Sequence, residues 1–325
     1  MNIPAYPIKF QPILKEKVWG GTKLMKLLNK SSLASNVGES WEISDVENNI
    51  SVVSNGLLKG QSISEIVRDY KEELLGKHVF KQFGNKFPLL FKFIDAKKTL
   101  SVQLHPDDVL AKKRHNSFGK TEMWYIIQAD TDSELILGFN QKINKNIFLN
   151  AVENNQIEAI LHKEKIKQGD AFYISPGLVH AIGAGVLLAE IQQTSDVTYR
   201  IYDWNRPDTN GQLRELHNDL AINAIDFDAN TNKKFSSEKK NSPLLVESPY
   251  FSVSVFNTKD QTYRNISKID SFVVYMCVSG NTEINCEGAS ENLITGETVL
   301  IPAAVQEIYF KNGNAQLLEI YVPIY

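Results

Sequence analysis

Residues 99–129 read TLSVQLHPDDVLAKKRHNSFGKTEMWYIIQA. The stretch opens and closes on runs rich in β-branched and aromatic residues, the composition of strands. A short helix is expected between them, starting at Asp107 or Asp108 and running to about Lys113. In a strand, residues two apart point to the same face, so Gln103 and His105 project together. Glu122 opens the second strand run. Further along, AFYISP (171–176) is another strand run, and His180 follows its turn at Pro176-Gly177. Two imidazoles and a carboxylate are a standard ligand set for catalytic zinc, with positions left for water or substrate. The amide oxygen of Gln103 can complete the shell. Iron, manganese or nickel would also suit this set, because affinity alone does not choose the metal. A single histidine is more often a satisfied or surface residue, and His78, His115, His162 and His217 are read that way.

Outward from this stretch the pattern stays β-rich. FPLLFKFI (87–94), SFVVYMCV (271–278) and ETVLIPA (297–303) are further short strand runs between Gly, Pro, Asn and Asp residues. Their regular spacing suggests a sandwich or barrel. Helices are fewer. Ser62 and Glu65 form a capping box, followed by Ile63, Ile66, Val67, Tyr70 and Leu74 at helical spacing, with Gly76 as the stop. A second helix is expected over 145–161. The segment 226–242, DFDANTNKKFSSEKKNS, is polar and reads as a linker. It divides a larger unit, 1–240, from a smaller β-domain, 241–325.

The two units echo each other. GDAFYISPGLVH (169–180) resembles GETVLIPAAVQ (296–306), and MWYII (123–127) resembles VVYMC (273–277). The alignment sets Phe272 against Glu122 and Gln306 against His180. All six histidines lie at or before His217. Only the first unit therefore carries metal-binding side chains.

Bulk properties set the outer limits. The chain has 325 residues, 42% hydrophobic and 22% charged, with a net charge of -3. These values suit a globular protein of two domains, or of one with a sizeable insertion. No basic field favours nucleic acid. No secretory signal and no apolar run of membrane-spanning length is read in the sequence. Cys277 and Cys286 are expected to be reduced thiols in a cytoplasmic protein.

Several blocks resemble type I mannose-6-phosphate isomerase, in its short bacterial form: TLSVQLHPDD (99–108), GKTEMWYI (119–126), SPGLVHAIGAG (175–185) and TSDVTYRIYDWNR (194–206), with WGG (19–21) and GESWEIS (38–44). The resemblance covers most of residues 10–206. It implies a mainly β fold of two cupin-type (jelly-roll) barrels, with a few helices packed on the N-terminal one. It also implies an aldose-ketose isomerase that interconverts mannose 6-phosphate and fructose 6-phosphate. One Zn2+ per chain is then held by Gln103, His105, Glu122 and His180. Arg200, Lys120 and Asp196 match catalytic positions, and Trp19, Glu39 and Ser101 match positions near the substrate. The expected partner is a small sugar phosphate, the expected state a monomer or homodimer. Longer family members carry Pro between this Lys and Glu, often with His before the Lys. Here Thr121 and Gly119 stand there, so a proton-shuttle role of that His does not transfer.

Such an isomerase moves a proton between C1 and C2 through an enediolate. Zinc polarises the oxygens, and a base shuttles the proton. Asp196, Lys120 and a zinc-bound water are all candidates for that base. Arg200 suits the enediolate or the phosphate, its bland alternative being a structural pairing with Asp196 or Asp203. Arg206 is a further phosphate candidate. The competing readings are another metallocupin, such as an iron-dependent oxygenase, and a non-catalytic sugar-binding cupin. Lys120 and Arg200 favour the isomerase, since oxygen activation has no evident use for them.

Overall fold

The computed structural model describes residues 2–208, 210–228, 234–236 and 243–325. Strands dominate, and in the N-terminal half they form two facing sheets. The larger sheet has seven strands. Its centre runs Asp170–Ile174, Glu122–Ala129, Val186–Gln193, Leu89–Ala96 and Val37–Ile43, with Ile13–Gly21 at one edge. The smaller has five, in the order Leu161–Lys165, Glu134–Phe139, His180–Ile182, Val102–Leu104, Tyr199–Tyr202. The central strands Leu89–Ala96 and Val186–Gln193 are buried along their whole length. They read as near-continuous apolar runs because both of their faces are covered.

Eight strands of the C-terminal half, joined by one from the N-terminal end, form a nine-stranded sheet that curls on itself. The strand Val273–Cys286 carries the curl. Its first part pairs with Thr298–Ile301 and Ala315–Tyr321, and its last part with Ala289–Ile294 and Glu307–Lys311. The echo between the halves has a structural counterpart. Tyr125 lies opposite Ala171 and Tyr275 opposite Val299, so both pairs of echoing segments are antiparallel neighbours. The interiors differ. Aromatic rings fill the second barrel, with Phe310 at 5.1 Å from Phe256 and 5.2 Å from Tyr275 between ring centroids. This two-barrel, mainly β architecture is the one expected from the sequence.

Helices pack outside the first barrel. The capping box at Ser62 and Glu65 is formed as expected. The helix it starts is broken into Ile63–Tyr70, Glu72–Leu75 and Lys77–Phe83. Lys71 (φ 49°) and Gly76 (φ 91°) take positive φ at the breaks, a backbone state that ends a right-handed helix. The expected helix over 145–161 is a helix at Lys145–Glu153 followed by a 3₁₀ turn at Ile157–Ile160. The helix Asp108–His115 starts from an Asp107 cap. None of the described helices is long and apolar enough to cross a membrane. Both cysteines are free and buried.

Two strands fall outside the division expected from the sequence. Ile8–Lys9 pairs with Thr298–Ile301 in the C-terminal sheet. Lys234–Ser236, inside the segment read as a linker, pairs with Asp170–Phe172 of the first barrel. Most of the rest of that segment lies outside the described residues. One hydrophobic cluster spans both halves and includes Phe87 and Phe272, whose ring centroids are 4.7 Å apart. Both side chains are fully buried. Phe272→Ala should therefore lower stability by about 3–5 kcal/mol, read as a lower midpoint in urea unfolding followed by fluorescence and circular dichroism.

Candidate metal centre and cavity

The inner faces of the two N-terminal sheets enclose the site. The smaller sheet aligns His180, Gln103 and Arg200 as cross-strand neighbours. His105 follows immediately after its strand. The larger sheet contributes Glu122 and, two residues on and hence on the same face, Trp124. His105, Glu122 and His180 each offer a donor atom, and these atoms lie within 4.8 Å of one another. It is the one such group among the described residues, and the echoing positions of the second barrel explain why. Phe272 is core, and Gln306 is exposed.

Local structure sets the ring orientations. His105 Nδ1 donates to the Val197 carbonyl and His180 Nδ1 to the Leu178 carbonyl, both at 2.9 Å. Each ring therefore turns Nε2, with its lone pair, toward the other members of the cluster. His105 Nε2 lies 2.6 Å from Glu122 Oε1. His180 Nε2 is buried and has no hydrogen-bond partner. A buried, unpartnered nitrogen is costly, and a metal ion would satisfy it. The Pro176-Gly177 turn ties the two histidines together. Gly177 N donates to the His105 carbonyl at 2.9 Å. At φ +81°, a Cβ on Gly177 would stand 2.8 Å from the Ala224 carbonyl oxygen, so the turn requires glycine.

The electrostatics put the ligands in their metal-binding protonation states. Burial, and then His105, lower His180 to about 3. Burial and the Lys120 ammonium lower His105. Burial alone would raise Glu122, but Lys120 and the imidazoles hold it well below the usual carboxylate range. Neutral imidazoles beside an ionised carboxylate fit a divalent cation.

Lys120 links this cluster to a cavity of about 350 Å³. Its Nζ is 3.0 Å from His105 Nε2 and ion-paired with Glu122. The cavity is lined by Trp19, Glu39, Ser101, Gln103, Lys120 and His180, with Asp196 and Arg200 also on its wall. Ten of the residues singled out in the sequence thus converge on one place, His105 and Glu122 through their contacts with Lys120, whereas Arg206 does not. Gln103 Oε1 accepts a hydrogen bond from Ser101 at 3.3 Å. Glu39 is paired with Lys17 at 3.2 Å and accepts from the Trp41 indole at 2.7 Å. Asp196 is exposed.

Arg200 bonds neither Asp196 nor Asp203. One of its Nη groups donates to the Glu215 carbonyl at 2.8 Å, and its Nε is buried without a partner. Asp203 instead binds Arg206 and Arg214. Arg206 also donates to the Thr99 carbonyl, so it is a structural residue and does not line the cavity. The remaining histidines lie elsewhere: His78 Nδ1 is 3.3 Å from Asp270 Oδ2, while its Nε2 is buried without a partner. His115 meets the Tyr199 hydroxyl, and His217 accepts from Arg200 N.

Reading the sequence missed a buried charged row on the larger sheet. Trp124, Glu190 and Lys92 are successive cross-strand neighbours. The Trp124 indole donates to Glu122 at 3.0 Å and to Glu190 at 2.9 Å, and Lys92 Nζ donates to Glu190 at 2.9 Å. Glu190 and Lys92 both line the cavity. Burial and the Glu122 charge raise the Glu190 carboxyl. The signal was available in part, since Lys92 interrupts the apolar run FPLLFKFI (87–94) and Glu190 is the one charge in VLLAEIQQ (186–193).

A two-sheet barrel with a buried His/Glu/His set that could hold a metal ion, opening on a polar cavity, is a cupin architecture. Family models narrow this further. "Phosphomannose isomerase type I, catalytic domain" matches residues 8–137, and "Mannose-6-phosphate isomerase, cupin domain" matches 242–322. The chain is 39% identical over 318 residues to mannose-6-phosphate isomerase ManA of Bacillus subtilis, covering 96% of this chain and 92% of that protein. It is 32% identical to mannose-6-phosphate isomerase of Streptococcus mutans, covering 97% and 98%. A crystal structure of a Bacillus subtilis mannose 6-phosphate isomerase superposes with a TM-score of 0.87 at 32% identity, over 97% of this chain and 99% of that one. The chain belongs to the type I mannose-6-phosphate isomerase family.

The ligand geometry predicts the behaviour of the histidine variants. His105→Ala and His180→Ala should each lose bound divalent metal while keeping the wild-type circular dichroism spectrum. Elemental analysis of protein purified in parallel with the wild type measures this.

Proposed function

We propose that this chain interconverts mannose 6-phosphate and fructose 6-phosphate, with one zinc ion held by His105, Glu122, His180 and Gln103. The observation that carries this reading is the buried His/Glu/His cluster joined, through Lys120, to a cavity that also bears Arg200. The names of its relatives support the choice of sugar phosphate. When bound, the ion supplies Lewis acidity that favours negative charge on the sugar oxygens.

The protein's side chains account for the rest. Arg200 makes no ion pair among the described residues, so its charge is available to an anion on the cavity wall. Its planar fork suits a phosphate or the paired oxygens of an enediolate. Arg214, its neighbour, is already neutralised by Asp203, which leaves Arg200 as the anion-binding group. Ser101, Trp19 and Glu39 shape the space for the sugar. We assign movement of the proton between C1 and C2 to Lys120 and Asp196, both of which line the cavity. Glu190 joins them as a carboxyl with a raised pKa, the property a base working near neutrality needs.

Production of fructose 6-phosphate from mannose 6-phosphate, followed in a coupled assay with the metal content determined in parallel, tests the proposal. Iron as the bound metal with oxygen-dependent turnover would sink it in favour of an oxygenase. Arg200→Ala should retain metal and lose turnover by about 10²-fold or more. Wild-type turnover in that variant would remove Arg200 from the mechanism.

A further inference from the structure

The segment that carries Lys120 is held by a chain of hydrogen bonds that begins in the other half of the molecule. The three backbone amides before Glu122 each have a different acceptor. Gly119 N donates to Asp108 Oδ1 at 2.8 Å, Lys120 N to the Pro106 carbonyl at 3.2 Å, and Thr121 N to Gln193 Oε1 at 2.9 Å. Gln193 also donates through its own N to the Thr121 carbonyl at 3.1 Å, and its Nε2 reaches Asp108 Oδ1 at 3.0 Å. The Asp108 carboxylate is therefore the node of the clamp.

Its second oxygen, Oδ2, accepts from the Tyr250 hydroxyl at 2.6 Å. Tyr250 belongs to the C-terminal half. It sits in a tight turn where Ser248 Oγ accepts from both Tyr250 N and Phe251 N, and where Phe251 is fully buried. The turn is thus rigidly seated on the shared core. Close packing adds to the clamp, because a Cβ on Gly119 would lie 2.6 Å from Asp108 N.

We propose that Tyr250 is a positioning residue. Through Asp108 and Gln193 it fixes the 119–121 backbone and so places Lys120 Nζ at the cavity. This gives the C-terminal barrel a part in catalysis without contact with substrate. The proposal rests on the role given to Lys120 above. Its physical basis is that misplacing a reacting group by a fraction of an ångström slows the reaction without weakening substrate binding.

The test is Tyr250→Phe in the full-length, metal-loaded protein, with turnover normalised to bound metal and to the folded fraction. The expected result is a fivefold to tenfold fall in kcat for mannose 6-phosphate, with KM changed less than twofold. Asp108→Asn should give a similar fall, and the double variant should be no worse than the poorer single one, since both cut the same relay. Tyr263→Phe, an exposed phenol on the C-terminal barrel, serves as the control and should be unchanged. A lowered melting temperature with wild-type kcat and KM would show that Tyr250 only ties the halves together, and would overturn the proposal. So would additive losses in the double variant. Lys120→Ala separates the two levels. If it is fully active, the role of Lys120 itself fails. If it is inactive while Tyr250→Phe is normal, only the relay fails.

Discussion

The Glu122 carboxylate is ionised and wholly buried between two sheets. A bare charge in that position would cost several kcal/mol, so the surroundings must neutralise it. Lys120 is its direct counter-ion, His105 contacts the same oxygen, and the Trp124 indole donates to the other. Trp124 also binds Glu190, a second buried carboxylate, which in turn requires Lys92. One charge therefore organises a row of side chains across the central strands of the larger sheet. Burial, with the Lys120 charge beside His105 and with His105 beside His180, favours neutral imidazoles, the form that can bind a cation. Structure and chemistry are bound together here, because any change that removes one partner leaves another charge stranded.

Much of this architecture can be read from the sequence. Strand runs, the Ser62 capping box and the Gln103/His105 pair follow from short local patterns, whereas joining His105 to Glu122 and His180 drew on the spacing and neighbours of three separate motifs. The convergence of Trp19, Glu39, Ser101, Asp196 and Arg200 came instead from family resemblance, since no periodicity brings residues so far apart in the chain together. What escaped was decided by long-range pairing. Lys92 and Glu190 make sense only once their strands are known to be neighbours. The break at Lys71 depends on a positive φ that lysine rarely adopts, and nothing in its neighbours announces it. Lys234–Ser236 is polar and linker-like, yet it finds an edge on the strand Asp170–Ile174.

The two barrels show how one repeat diverges. At the echoing positions the first barrel carries Glu122 and His180, and the second Phe272 and Gln306. The first keeps a polar cavity, whereas in the second Phe256, Tyr275 and Phe310 pack together, and Tyr275 donates to Glu319, itself paired with Arg264. Filling that interior makes a rigid body, and rigidity is what a scaffold needs if it is to brace a neighbour.

The short strand Ile8–Lys9 completes the C-terminal sheet, with Ile8 opposite Leu300. During synthesis, this segment emerges long before its partner strand Thr298–Ile301. The barrel that holds the His/Glu/His set can begin to assemble before then, but the union of the two halves waits for that distant partner. Contacts this distant in sequence are slow to form. The seam that unites the halves thus depends on contacts distant in the chain, among them the packing of Phe272 against Phe87.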